Sequence, residues 1–313
     1  MATIAENLQT IQNIKQDIKT AIENKGVDMT NTPFSEYSTK IDEITAGGGS
    51  NTFVVPDGIS FGKSNFSEIP NYLDFSKCTV MDNTFYSCKN LTHIENFSVS
   101  TVNEVVNVFN ECQNLKSIGN ITFENATEVT FLFQNCTNLE TITSLHIPKA
   151  TDINGIFRYC RKLTNIPYIN IENVTKANGL FYSCTSLTTI PQLNTKNIED
   201  ISSFFNGCSS LTSIPLLDCG NVNYMSRIFG ASNINTLTDL GGFKDLKISV
   251  TSNFLDKAPN LTVESLMNVI NYLYDLTGNG LSGQSLKFGS TNLNKLTTEQ
   301  VAIATAKGWT LTA

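Results

Sequence analysis

Charge is scarce in this chain. Asp, Glu, Lys and Arg make up only 16% of 313 residues, and 28 acids against 21 cations leave a net charge of −7. That balance excludes the basic footprint a nucleic-acid binder needs to displace counterions. Histidine is nearly absent too, with His93 and His146 the only two. Neither has an acid or a nucleophile at a motif spacing. A Gly-rich phosphate loop, an H-E-x-x-H pair and a G-x-S-x-G elbow are all missing. The expectation is therefore a protein that is not an enzyme, with no cofactor and no metal. Long hydrophobic runs are lacking as well. No window approaches the roughly 20 apolar residues of a membrane span, so membrane insertion is not expected. The opening Met1-Ala2-Thr3-Ile4-Ala5-Glu6-Asn7 offers neither a basic n-region nor an apolar h-region, so a secretory leader is not expected either.

What is present is periodic. Cys88, Cys112, Cys136, Cys160, Cys184 and Cys208 each lie 24 residues after the last. A phenylalanine stands three positions before each: Phe85, Phe109, Phe133, Phe157, Phe181 and Phe205. Phe229 opens a seventh unit in which Ser232 takes the place of the cysteine. Three residues after each cysteine comes leucine, from Leu91 to Leu211, and three later isoleucine, from Ile94 to Ile214. A period of this size fixes the architecture before local structure is considered.

Within a unit the apolar spacing changes. Ile166, Ile169 and Ile171 shift toward alternation, a short-strand signal. Val174, Ala177, Leu180 and Phe181 return to threes and fours, which predicts a turn or two of helical or 3₁₀ character. One unit cannot bury its own apolar side chains, but stacked units bury them against each other. The strands of successive coils are then expected to form a parallel sheet at about 4.8 Å spacing.

The unit Phe181-Tyr-Ser-Cys184-Thr-Ser-Leu187-Thr-Thr-Ile190-Pro191 resembles the bacterial-surface-antigen, or BspA-like, type of leucine-rich repeat. The resemblance covers residues 61–240. It implies an α+β leucine-rich-repeat solenoid, a right-handed arc with its parallel sheet on the concave side. The chain departs from the asparagine-ladder repeats of plants and animals, carrying Val102, Ala126, Ala150, Val174, Ile198 and Val222 at that place.

The cysteine spacing argues against metal and against disulfides. Zinc knuckles place ligands two to four residues apart. Cysteines stacked one coil apart have Cβ atoms about 5 Å apart, beyond the mean of about 3.8 Å for a disulfide. A buried ladder of free thiols is expected, with Cys78 and Cys219 also at core positions.

Two columns should face outward from the sheet. One reads Asn96, Asn120, Ser144, Tyr168, Gln192 and Leu216; its neighbour reads Ser98, Thr122, His146, Asn170, Asn194 and Asp218. His146, Tyr168, Asn170, Gln192, Asn194 and Asp218 form the candidate binding set, with chemistry suited to a sugar or a protein. A merely solvated polar face is the alternative.

The ends differ from the array. Ile4, Leu8, Ile11, Ile18 and Ile22 form a coiled-coil-like stripe within a helical segment spanning 1–45. Oligomerisation or docking through that stripe is expected; packing onto the first coil is the alternative. Gly47-Gly48-Gly49-Ser50 marks a linker within 46–60. Residues 241–313 read as an α/β cap: a helix after Thr262, a strand at 285–288, a capping box at Thr297–Gln300, and a last strand at Trp309–Leu311.

Lys25-Gly26-Val27, Phe34-Ser-Glu-Tyr37 and the closing Leu296-Thr-Thr-Glu-Gln-Val-Ala-Ile-Ala-Thr-Ala-Lys-Gly-Trp309 resemble segments of virion proteins from tailed phages of gut bacteria. That resemblance implies a phage fibre or appendage assembled in the host cytoplasm. Its partners would be other virion proteins, further copies of itself, or a host-surface glycan or protein. The alternative is a bacterial surface adhesin.

Overall fold

A computed structural model describes residues 53–313 except Tyr72 and Ala231, together with Gln16, Ile18, Lys19, Thr20, Ile22, Glu23 and Met29. The array begins with β1 (Phe53–Val54) and β2 (Leu73–Asp74), which pair in parallel. Three longer strands follow, β3 (His93–Ser98), β4 (Ser117–Thr122) and β5 (Thr141–His146). They form one parallel sheet in order, with Ile94 beside Ile118 beside Ile142. Further on, β6 (Ser213–Ile214) pairs with β8 (Asp239–Leu240), and β7 (Leu217–Asp218) with β9 (Phe243–Lys244).

The sheet is therefore interrupted, contrary to the expectation of a strand in every coil. The coils at 166–171 and 190–195 contain no strand, and β6 and β7 are separated by Pro215 and Leu216. The reason lies in the residue after each buried isoleucine. Gly241, at that place, donates its N–H to the Ile214 carbonyl of the preceding coil at 2.8 Å. Pro167, Pro191 and Pro215 hold the same place and have no N–H to give.

A second ladder keeps those coils in register. Along the segment before each cysteine, alternate amides reach the next coil: Ile153 to the Lys176 carbonyl at 2.9 Å, Gly155 to Asn178 at 3.0 Å, Phe157 to Leu180 at 3.1 Å. The amides between them close tight turns within the coil, as from Arg158 to Gly155 at 3.1 Å and from Cys160 to Phe157 at 3.0 Å. The expected helical turn is thus replaced by consecutive turns. In the coils from Asn83 to Gly207, left-handed residues recur four apart, as at Asn107 and Glu111 or Gly179 and Ser183. A positive φ at every fourth residue cannot continue a right-handed helix.

The core is stacked in the same way. Phe85 and Phe109 lie 5.4 Å apart with rings inclined by 4°, and Phe157 and Phe181 lie 5.8 Å apart at 2°. The column extends beyond the cysteine units to Phe61 at one end and Phe254 at the other. Asparagines add a further ladder: Asn173, Asn197 and Asn221 each donate a side-chain N–H to a carbonyl of the preceding coil, at 2.9, 2.7 and 3.0 Å. These are the asparagine positions that the sequence comparison with other repeat classes did not single out.

The C-terminal region follows the sequence expectation closely. Helix α1 (Val263–Tyr272) is N-capped by Thr262, whose hydroxyl accepts from the Ser265 amide. Strand β10 (Gln284–Lys287), the short α2 (Ser290–Leu293), α3 (Thr298–Ala306) and β11 (Trp309–Thr312) complete the chain. The capping box of Thr297 and Gln300 is formed at the start of α3. Parallel pairing joins β10 to β11. Trp309 and Phe288 are buried in the same continuous core as the repeats.

Of the N-terminal stripe, Ile4, Leu8 and Ile11 lie outside the described residues, as does the linker. Ile18 and Ile22 are buried within the single chain and belong to the core that includes Val55 and Ile59. Among the described residues, no helix is long and apolar enough to cross a membrane.

Candidate functional site

The six repeat cysteines are free and buried. Each thiol points at a backbone oxygen one coil back: Cys136 donates to the Phe109 carbonyl at 3.1 Å and Cys208 to Phe181 at 3.0 Å. Cys78 does the same toward Val55 at 2.9 Å. Burial pushes the Cys78 thiol up to about 11 and the Cys208 thiol up to about 12, which disfavours the nucleophilic thiolate. Among the described residues, no group of three or more His, Cys, Asp or Glu could hold a metal ion.

The sheet face has a different chemistry. Side chains of its first column bridge successive coils, with Asn120 donating to Asn96 and Ser144 donating to Asn120, both at 2.7 Å. Beyond β5 the column changes character: Tyr168 is 61% exposed, and Leu216 follows it two coils later. Gln192 lies between them and donates its side-chain N–H to the Leu216 carbonyl at 2.7 Å. A shallow depression of about 610 Å³ opens here, lined by Tyr168, Pro191, Gln192, Asn194, Leu216, Asp218 and Lys244 among others.

The structure thus brings four of the six candidate residues together: Tyr168, Gln192, Asn194 and Asp218. His146 and Asn170 do not line the depression. The His146 ring nitrogen Nε2 lies 3.3 Å from the Glu124 carboxylate, on the β5 side. Asn170 is turned to its own backbone, its Oδ1 accepting from the Glu172 amide at 3.1 Å. Asn194 and Asp218 make the same short-range turn toward the Lys196 and Gly220 amides, at 3.4 and 3.1 Å. The side chains of Asn170, Asn194 and Asp218 in the second column are therefore partly occupied by local turns.

Lys244 is the residue sequence reasoning missed. It pairs with Asp218 in register, 26 positions on, because its coil is longer than the repeat. Its ammonium sits 2.9 Å from the Asp218 carboxylate and 3.1 Å from that of Asp245, and these two partners raise its affinity for the proton. The mixture is an exposed aromatic face, an aliphatic floor from Pro191 and Leu216, and a fixed ion pair at the rim. Such a surface can hold an apolar or ring-shaped group flat while polar groups at the edge orient it.

The chain is similar to a leucine-rich repeat protein of Treponema pallidum at 16% identity, covering 68% of this chain and 84% of that one, with a TM-score of 0.37. It is similar to a leucine-rich repeat protein of Bacteroides ovatus at 17% identity, covering 80% and 67%, with a TM-score of 0.35. No curated protein matches the sequence. A family model described as a Mycoplasma protein of unknown function, DUF285, matches residues 60–166 and 151–266, most of the chain, and the protein belongs to that family.

Proposed function

We propose that this protein is a repeat-built interaction protein that presents its sheet face, centred on Tyr168, to a partner on a cell or particle surface. The observation that carries the reading is the cluster of Tyr168, Gln192, Leu216 and Lys244 around one open depression on a stacked frame. A rigid array suits this role, since a site held by regular backbone ladders needs little ordering when a partner docks. The partner is a host-surface glycan or protein, bound without catalysis.

The finer assignment is a fibre or appendage of a tailed-phage virion, docked through the N-terminal residues. It is supported by the sequence resemblance at 25–37 and 296–309. A bacterial surface adhesin is the second reading, supported by the likeness of the repeat unit to the surface-antigen class.

Binding of the labelled chain to intact bacterial cells tests the face. Tyr168→Ala combined with Leu216→Ala is expected to weaken it about tenfold, or about 1.4 kcal/mol. Undiminished binding by a folded double variant removes this face from consideration. The virion assignment has its own test, mass spectrometry of purified tailed-phage particles, and the absence of peptides from this chain overturns it.

A further inference from the structure

The first coil of the array parts from the second on the sheet face. In the later coils the Val99 amide donates to the Thr122 carbonyl at 3.0 Å, and Phe123 to His146 at 2.9 Å. The corresponding bond from Phe75 to Ser98 is not made among the described residues, and β2 pairs with β1 but not with β3. The sequence explains the parting. Pro70 stands where the next coil has Ile94, and the Leu73 amide turns back onto the Pro70 carbonyl at 3.1 Å. The chain therefore turns where β3 runs straight. Beneath, the rings of Phe75 and Phe97 meet edge to face at 5.3 Å.

The result is a groove of about 930 Å³ running along β3. Among the described residues its lining holds the carboxylates of Glu68, Asp74 and Glu95, with His93 beside Glu95, and neither lysine nor arginine. Across the gap, the Phe75 amide and the Ser98 carbonyl are not bonded to each other among the described residues. Open backbone groups along a strand edge template the addition of another strand, and acidic walls select its charge.

We infer that this groove is a docking site for an extended peptide segment bearing basic side chains, which adds as a strand along the free edge of β3. The inference is independent of the Tyr168 face, which lies on later coils.

The test uses the full chain and fluorescence anisotropy at low and physiological salt. The probe is a labelled peptide of about ten residues alternating lysine and valine; the controls alternate glutamate with valine and lysine with proline. The lysine–valine peptide is expected to bind, with each control weaker by about tenfold or more. Glu68→Lys with Glu95→Lys, both exposed positions, is expected to cost a similar factor. Hydrogen exchange on the unmodified chain, with peptide present, is expected to slow at the β3 amides and leave the Tyr168 coil unchanged, a readout that does not depend on the variant folding. Three results overturn the inference: no binding of the lysine–valine peptide, equal binding of the lysine–proline peptide, or β3 exchange unaltered by bound peptide.

Discussion

The thiol of Cys184 donates to the carbonyl oxygen of Phe157, one coil back, at 3.0 Å. The same oxygen also accepts the amide of Cys160 from its own coil at 3.0 Å. One carbonyl thus joins a turn within a coil to the side chain of the next, and the arrangement recurs at each repeat cysteine. The period of 24 is in this sense a period of satisfied backbone oxygens as well as of apolar packing.

Cys184→Ala removes a hydrogen-bond donor and leaves a small void in a close-packed column. It is expected to lower stability by about 1–3 kcal/mol in urea unfolding. A companion measurement follows from burial: all eight cysteines are free and buried, so a thiol reagent should label none in the native protein and all after denaturation. Rapid labelling of the native chain would contradict the packing described.

Buried thiols also set an alkaline limit. An ordinary thiol titrates near 9.0, while Cys78 is pushed up to about 11 and Cys208 up to about 12. As pH rises past 9.0 the unfolded chain loses these protons first, and the folded chain keeps them. The contribution of these two thiols should therefore be constant below that pH and be lost through the range up to about 12. Thermal melts between neutral and alkaline pH check the direction, and Cys208→Ala should flatten the decline.

Two glycines separate space from conformation. Gly179 and Gly155 both sit at positive φ, +60° and +62°, but an added Cβ would be 3.6 Å from its nearest neighbour at Gly179 and 2.6 Å from the Phe131 ring at Gly155. Asn83 and Asn107 hold the same place in earlier coils with positive φ. Gly179→Asn should cost less than about 1 kcal/mol, whereas Gly155→Ala adds a clash to the left-handed strain and should cost more than about 1–2 kcal/mol. Denaturant midpoints of the two variants give the comparison.

Proline placement yields a gain-of-structure prediction. Thr143 stands on β5 where Pro167 and Pro191 stand in the following coils. Pro167→Thr with Pro191→Thr restores two N–H groups facing the Ile142 and Ile166 carbonyls. Hydrogen exchange at 166–171 and 190–195 should slow, and the far-ultraviolet strand signal should rise. Unchanged exchange would mean that side-chain shape, not the missing donor, ends the sheet.

Much of the fold was legible because it repeats. Phe181, Cys184, Leu187 and Ile190 mark one coil, and stacking is the only way such a coil can cover its apolar side chains. The caps at Thr262 and Thr297 were equally readable, since each depends on a hydroxyl and an amide three residues apart. The turn segment was misread as helical because threes and fours also arise when successive tight turns put Ala177, Leu180 and Phe181 on the inner side. Only the φ values at Gly179 and Ser183 distinguish the two.

The lining of the depression was partly legible. Tyr168 and Gln192 stood out by their column, but Lys244 did not, because the extra length of its coil hides its register with Asp218. The Oδ1 atoms of Asn170 and Asn194 are already taken up by local turns.

The amino-acid sequence by itself determined the period, the inward residues and the cysteine column, because these follow from spacing and from the need of every coil to bury its apolar side chains. Only the tertiary structure decided where the sheet breaks, which oxygen each thiol meets, and how the first coil stands away from β3. Those outcomes depend on hydrogen-bond partners about 24 residues away across a coil boundary, and no local pattern records whether such a partner is in reach.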